Sequence, residues 1–110
     1  MNGSTLASTE ALSRTLAGWR IFDCRHDLMQ PQLGEQQYQA SHIPGALFAH
    51  LERDLSAPKT GANGRHPLPA RGAFIAWLGQ QGLQPEDPVV CYDGGNGAMA
   101  ARLWWMLRWA

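Results

Sequence analysis

An α/β fold on a parallel sheet is what this sequence predicts, and three observations carry that expectation. Trp19-Arg20-Ile21-Phe22-Asp23-Cys24 reads as a short buried strand ending in a polar residue. Val89-Val90-Cys91-Tyr92 is a β-branched and aromatic run that reads as a central parallel strand. Helical patterns precede each of these strands and another follows the second, an alternation that closes as helices packed on a parallel sheet. At 110 residues, one domain spanning 1–110 with a modest core is the expected organisation.

Ser8-Thr9-Glu10 opens the first helix, because a hydroxyl N-cap and an early acid both suit the positive end of the helix dipole. Leu12 and Leu16 recur four apart, and Gly18 is placed to end it. After the first strand, Pro31 and Gly34 predict an irregular stretch from His26 to about Gln37. His42-Ile43-Pro44-Gly45-Ala46 is a tight turn, in which proline fixes φ and glycine permits the redirection that follows. Ala46-Leu47-Phe48 is a candidate small strand. Residues 56–69, with three prolines and two glycines, predict a loop. Phe74, Ile75, Trp77 and Leu78 mark a helix ending near Gly82, and Pro85-Glu86-Asp87-Pro88 a turn into the second strand. Asp93-Gly94-Gly95-Asn96-Gly97 then leads into a helical run from Ala98 to Ala110.

Nine basic and nine acidic side chains cancel, so no long-range field draws the chain to nucleic acid or to an anionic membrane surface. Its two cysteines, Cys24 and Cys91, each lie in an apolar run, too few for a disulfide framework and without C-x-x-C spacing. No cofactor or metal is expected on this reading, and His66 is assigned to loop structure. No secretory signal is recognised at Met1-Asn2-Gly3-Ser4, and no apolar run reaches the ~20 residues of a membrane span, so a cytoplasmic location is expected. Three of the five tryptophans crowd into the stretch from Arg102 to Ala110, which predicts burial against something further along the chain.

A strand, a glycine-rich loop and a helix N-terminus together make an anion cradle, since backbone N–H groups converge where the helix dipole favours negative charge. Residues 89–110 supply all three parts, and three chemistries are open to them. Gly95-Asn96-Gly97-Ala98-Met99-Ala100 fits the G-x-G-x-x-A form of a dinucleotide loop, a weak match whose confirming acid would lie beyond the chain. Thiolate chemistry, whether persulfide transfer or phosphate-ester hydrolysis, wants a cysteine as first residue of the loop, where the N–H groups lower its pKa. Asp93 stands there instead, with Cys91 two residues earlier within the strand. The third possibility is a cradle of the right shape without chemistry.

Ile21-Phe22-Asp23-Cys24-Arg25, Tyr38, His42-Ile43-Pro44-Gly45-Ala46, Asp54-Leu55-Ser56 and His66-Pro67-Leu68-Pro69 resemble the opening half of a rhodanese domain. Val90-Cys91-Tyr92-Asp93, Gly97 and Ala100-Ala101-Arg102-Leu103-Trp104-Trp105-Met106-Leu107-Arg108 are similar to the N-terminal domain of thiosulfate and 3-mercaptopyruvate sulfurtransferases. The resemblance runs from about Ser8 to the end. It implies a rhodanese-like three-layer fold with a central parallel sheet, incomplete at the C-terminus.

In that family two rhodanese domains pack together, and only the second carries the cysteine that becomes a persulfide. The resemblance therefore implies a non-catalytic domain, inactive alone, whose vestigial loop is Asp93, Gly94, Gly95, Asn96 and Gly97. Its implied partners are the C-terminal rhodanese domain of the same polypeptide and a small sulfur donor at the domain interface. In mercaptopyruvate-using relatives the histidine at the place of His42 is linked to a proton relay; a local bond fixing the turn before Pro44 is the plainer reading. Asp23 is expected to bond nearby backbone donors. Arg102 is open to pairing with an acid of the partner domain, or to a solvated or local role. A stand-alone regulatory or interaction module and a nucleotide-binding α/β domain are the competing functions.

Overall fold

The computed structural model describes Ser8 and residues 18–110. The helix expected to start at Ser8 lies outside the described residues. Three strands, β1 (Arg20–Asp23), β2 (Leu47–Phe48) and β3 (Val89–Tyr92), form one parallel sheet in the order β2-β1-β3. Three helices accompany them: α1 (Leu33–Ala40), α2 (Arg71–Gln80) and α3 (Ala98–Trp109).

Alternation along the strands sorts the core into two faces, since successive side chains of a strand point oppositely. Phe22 and Cys24 from the β1 segment pack with Val89 and Cys91 of β3 against Phe74 and Trp77 of α2 and Leu103 and Met106 of α3. Ile21 faces the other way, with Val90 and Tyr92, toward Tyr38 of α1 and the Ile43–Ala46 turn. Helix, sheet and helix thus make the three layers expected of the fold. Phe22, Phe74, Leu103 and Met106 are wholly buried, so the sheet–α2–α3 side carries most of the apolar core.

Two sequence expectations are corrected. The stretch from His26 to Gln37 is not irregular throughout, because α1 begins at Leu33. Pro31 lies in the turn before the helix, where its missing N–H costs nothing, and Gly34 sits inside the helix. A Cβ at Gly34 would come within 2.0 Å of the Arg25 carbonyl oxygen, so the glycine is there to let the helix rest on the backbone leaving β1. The strand Val89–Tyr92 is not central: β1 holds the middle of the described sheet, and β3 lies at its edge and is only half-buried. Its apolar run is explained by the two faces it shares with β1.

The long segment between β2 and α2 has almost no regular structure but is tied down by side chains. Asp54 accepts from the His50 N–H (2.9 Å), and the Ser56 hydroxyl donates to the Leu51 carbonyl (2.7 Å). From α3, Arg102 donates to the carbonyls of Leu55 (2.7 Å) and His66 (3.0 Å), holding both ends of this loop.

Candidate functional site

At the C-terminal end of β3 the chain turns through Asp93–Gly97 into α3, the crevice position where open α/β sheets bind ligands. Gly97 has φ +90°, a left-handed conformation that L side chains rarely adopt, and it opens the helix. The amides converge as expected, but Asp93 itself occupies them. Its carboxylate accepts from Gly95 N–H (2.9 Å), Gly97 N–H (3.2 Å) and Ala100 N–H (2.8 Å). Asn96 Oδ1 takes the Ala98 N–H (3.0 Å). Burial pushes the Asp93 carboxyl up, yet the backbone donors at Ala100, Gly95, Gly97 and Met99 outweigh it and hold its pKa below the ordinary value. The cradle therefore holds a built-in anion, and a pyrophosphate or thiolate would have to displace it.

Beside the loop lies a cavity of about 300 Å³ bordered by Arg25, His26, Leu33, Gln37, Asp93 and Met99 among others. Its cation, Arg25, is already committed. The guanidinium grips Asp23 through Nε (2.9 Å) and Nη2 (2.6 Å), and Nη2 also donates to the Ser41 carbonyl (2.7 Å). Asp23 is fully buried and accepts the Arg25 N–H (2.9 Å) and the Tyr92 hydroxyl (3.0 Å) as well. Tyr92 in turn accepts the Ile43 N–H (3.2 Å), so one network joins β1, β3 and the turn before β2. Hydrogen bonding to Asp23 raises the Arg25 pKa further above its ordinary value, against the opposing effect of burial.

His42 and Arg102 are not brought to this cavity. The exposed His42 ring stacks on Tyr38 (3.9 Å between centroids) and its Nδ1 lies 2.7 Å from the Tyr38 carbonyl oxygen. Arg102 spends its Nη2 on the two loop carbonyls described above, and desolvation lowers its pKa with no carboxylate to offset it. Cys24 does not have a thiolate-forming environment. A hydrogen bond with Cys91, added to burial, pushes the Cys24 thiol well above its ordinary value.

One cluster was invisible in the sequence. His26, from the segment after β1, and Glu52 and His66, from two distant points of the long segment between β2 and α2, bring one ligand-type atom each within 4.8 Å of one another. Burial, with His50 nearby, lowers the His26 pKa despite the opposing charge of Glu52. His26 also borders the Asp93 cavity. No short spacing links the three residues, so only the folded loops reveal them.

The family profile of the rhodanese-like domain matches residues 8–110. The chain belongs to the rhodanese-like domain family. A Pseudomonas aeruginosa protein named "Probable 3-mercaptopyruvate sulfurtransferase" is 46% identical over 112 residues, covering 99% of this chain and 39% of that protein. "Thiosulfate/3-mercaptopyruvate sulfurtransferase 2" of Arabidopsis thaliana is 48% identical over 73 residues, 66% of this chain and 20% of its own length. The solved 3-mercaptopyruvate sulfurtransferase from Leishmania major superposes with a TM-score of 0.91 at 38% identity, over 98% of this chain and 30% of that one. The rhodanese-like chain thus spans well under half the length of these relatives, and it matches their N-terminal portion.

Proposed function

We propose that this chain is the N-terminal, non-catalytic rhodanese-like domain of a two-domain sulfurtransferase. The complete enzyme moves sulfane sulfur from thiosulfate or 3-mercaptopyruvate to a thiophilic acceptor, through a cysteine persulfide in a C-terminal rhodanese domain. The observation that carries the non-catalytic reading is Asp93. A carboxylate cannot accept sulfane sulfur, and this one already fills the amide cradle a persulfide or an anionic donor would need. The relatives' names supply the sulfur chemistry, and their greater length supplies the expectation of a second domain.

On this reading the domain supports its catalytic neighbour and walls one side of the cleft that takes the donor. It needs no cofactor for that role, and the complete enzyme works in the cytoplasm. Among the described residues no helix is long and apolar enough to cross a membrane, which fits such a role. The balanced net charge gives no long-range field that would draw nucleic acid to the chain.

The test compares the 110-residue chain with the complete gene product. Each is assayed with thiosulfate and with 3-mercaptopyruvate, and mass spectrometry locates any persulfide. Expected are turnover by the complete protein alone and sulfur on a cysteine outside residues 1–110. Turnover by the short chain, with sulfur on Cys24 or Cys91, would overturn the proposal. So would a gene product that ends at Ala110 and moves no sulfur, which leaves an interaction module.

A further inference from the structure

We infer that His26, Glu52 and His66 form a binding site for a divalent transition-metal ion, zinc by preference. The His26 side chain is 1% exposed, yet its Nε2 has no hydrogen-bond partner among the described residues. A buried imidazole nitrogen left in that condition costs free energy unless something else satisfies it. What it faces is a carboxylate and a second imidazole. Glu52 Oε2 lies 4.0 Å from His26 Nε2 and 3.8 Å from His66 Nε2. These separations are too long for hydrogen bonds and short enough for a shared ion.

Bond lengths decide whether an ion fits. Zinc–nitrogen and zinc–oxygen bonds near 2.0–2.1 Å place tetrahedral ligand atoms about 3.3 Å apart. The two distances to Glu52, whose side chain is partly exposed, must close by roughly 0.7 and 0.5 Å, and the two imidazole ligand atoms, within 4.8 Å of each other, must settle to the same spacing. Two imidazoles and one carboxylate suit zinc, copper or nickel, whereas magnesium and calcium want oxygen ligands only. Three protein ligands leave a fourth position for water, and the partial exposure of Glu52 and His66 gives the ion a way in.

The three ligands are held by tethers that do not depend on the ion. The backbone at His66 is fixed by Arg102, and the Glu52 N–H donates to His50 Nδ1 (3.1 Å). The His26 ring stands edge-on to the rings of His50 (5.5 Å) and His66 (6.2 Å). An ion here would cross-link the segment after β1 to two distant points of the long segment between β2 and α2.

The complete gene product, free of any polyhistidine tag and stripped with a chelator, is titrated with Zn²⁺ by calorimetry and with Co²⁺ by visible absorption. The same titrations are run on His66→Ala, Glu52→Gln and His42→Ala. His66→Ala keeps the carbonyl that Arg102 holds, and circular dichroism verifies folding of each variant. Expected are one zinc per chain at this site and a cobalt band of tetrahedral type. His66→Ala and Glu52→Gln should each weaken zinc by more than the ~10–100-fold that outer-shell partners command. His42→Ala should leave binding unchanged. Absence of zinc binding would overturn the inference, as would full binding by either ligand variant or an equal loss in His42→Ala.

Discussion

At the scale of single residues, Asp93 converts a site built for an external anion into a closed hydrogen-bond knot. Its folded-state pKa is depressed, so the stability it contributes is fully present above the unfolded value near ~3.9 and is lost as pH falls through the folded value. Replacing it by asparagine puts an amide group among N–H donors and removes the charge they favour. Asp93→Asn should cost about 1–3 kcal/mol at neutral pH, and the gap from the parent should narrow in acid, where the parent carboxylate is protonated too. Urea unfolding at about pH 7 and about pH 3 reads both quantities. A gap of the same size at both would mean that shape, not charge, holds the loop. Sequence reasoning located this loop because strand, glycines and helix adjoin in the chain. That the aspartate folds back onto its own amides depends on side-chain geometry, which no spacing encodes. The same holds for Arg25, whose guanidinium serves Asp23 and Ser41 rather than the cavity it borders.

At the scale of elements, glycine was the residue most easily misread. Gly34 looked like a breaker and is in fact a contact position within α1, touching the Arg25 backbone. Gly34→Ala must push α1 off that strand-end, and overpacking against a main-chain atom should destabilise by roughly 1–3 kcal/mol or more. Gly72, in the first turn of α2, has nothing within 4 Å of a built Cβ and an ordinary helical backbone. Gly72→Ala should therefore stabilise by about 0.5–1 kcal/mol, through helix propensity and a less entropic unfolded chain. Opposite signs from one substitution type, read in parallel denaturant melts, test the distinction; a mild effect at Gly34 would contradict the contact. The strands and the two later helices were legible because apolar period and turn residues agree along the chain. The order of the sheet was not, since an apolar run looks alike at its centre and at an edge covered on both faces. The His26–Glu52–His66 cluster was hidden for a related reason: it exists only where the long β2–α2 segment folds back on itself beside the segment after β1.

At the scale of the whole molecule, one side of the sheet carries an open apolar groove. A groove of about 520 Å³ runs between α2 and α3 beside β3, lined by Ile75, Leu78, Leu83, Val89, Trp104 and Leu107 among others. Ile75, which lines it, is 48% exposed, so a large apolar side chain meets solvent there. Apolar side chains lining an open groove are available to pack against another surface. On the two-domain reading, the rest of the sulfurtransferase polypeptide covers it. Ile75→Lys separates that reading from a groove that stays open. Placed on an exposed helix position, the lysine should change the stability of the 110-residue chain by no more than about 0.5 kcal/mol. In the complete protein it would bury a charge at a covered interface, a change that should cost several kcal/mol and lower Tm visibly. Equal melting shifts in the short chain and in the complete protein would show that the groove remains open to solvent in both.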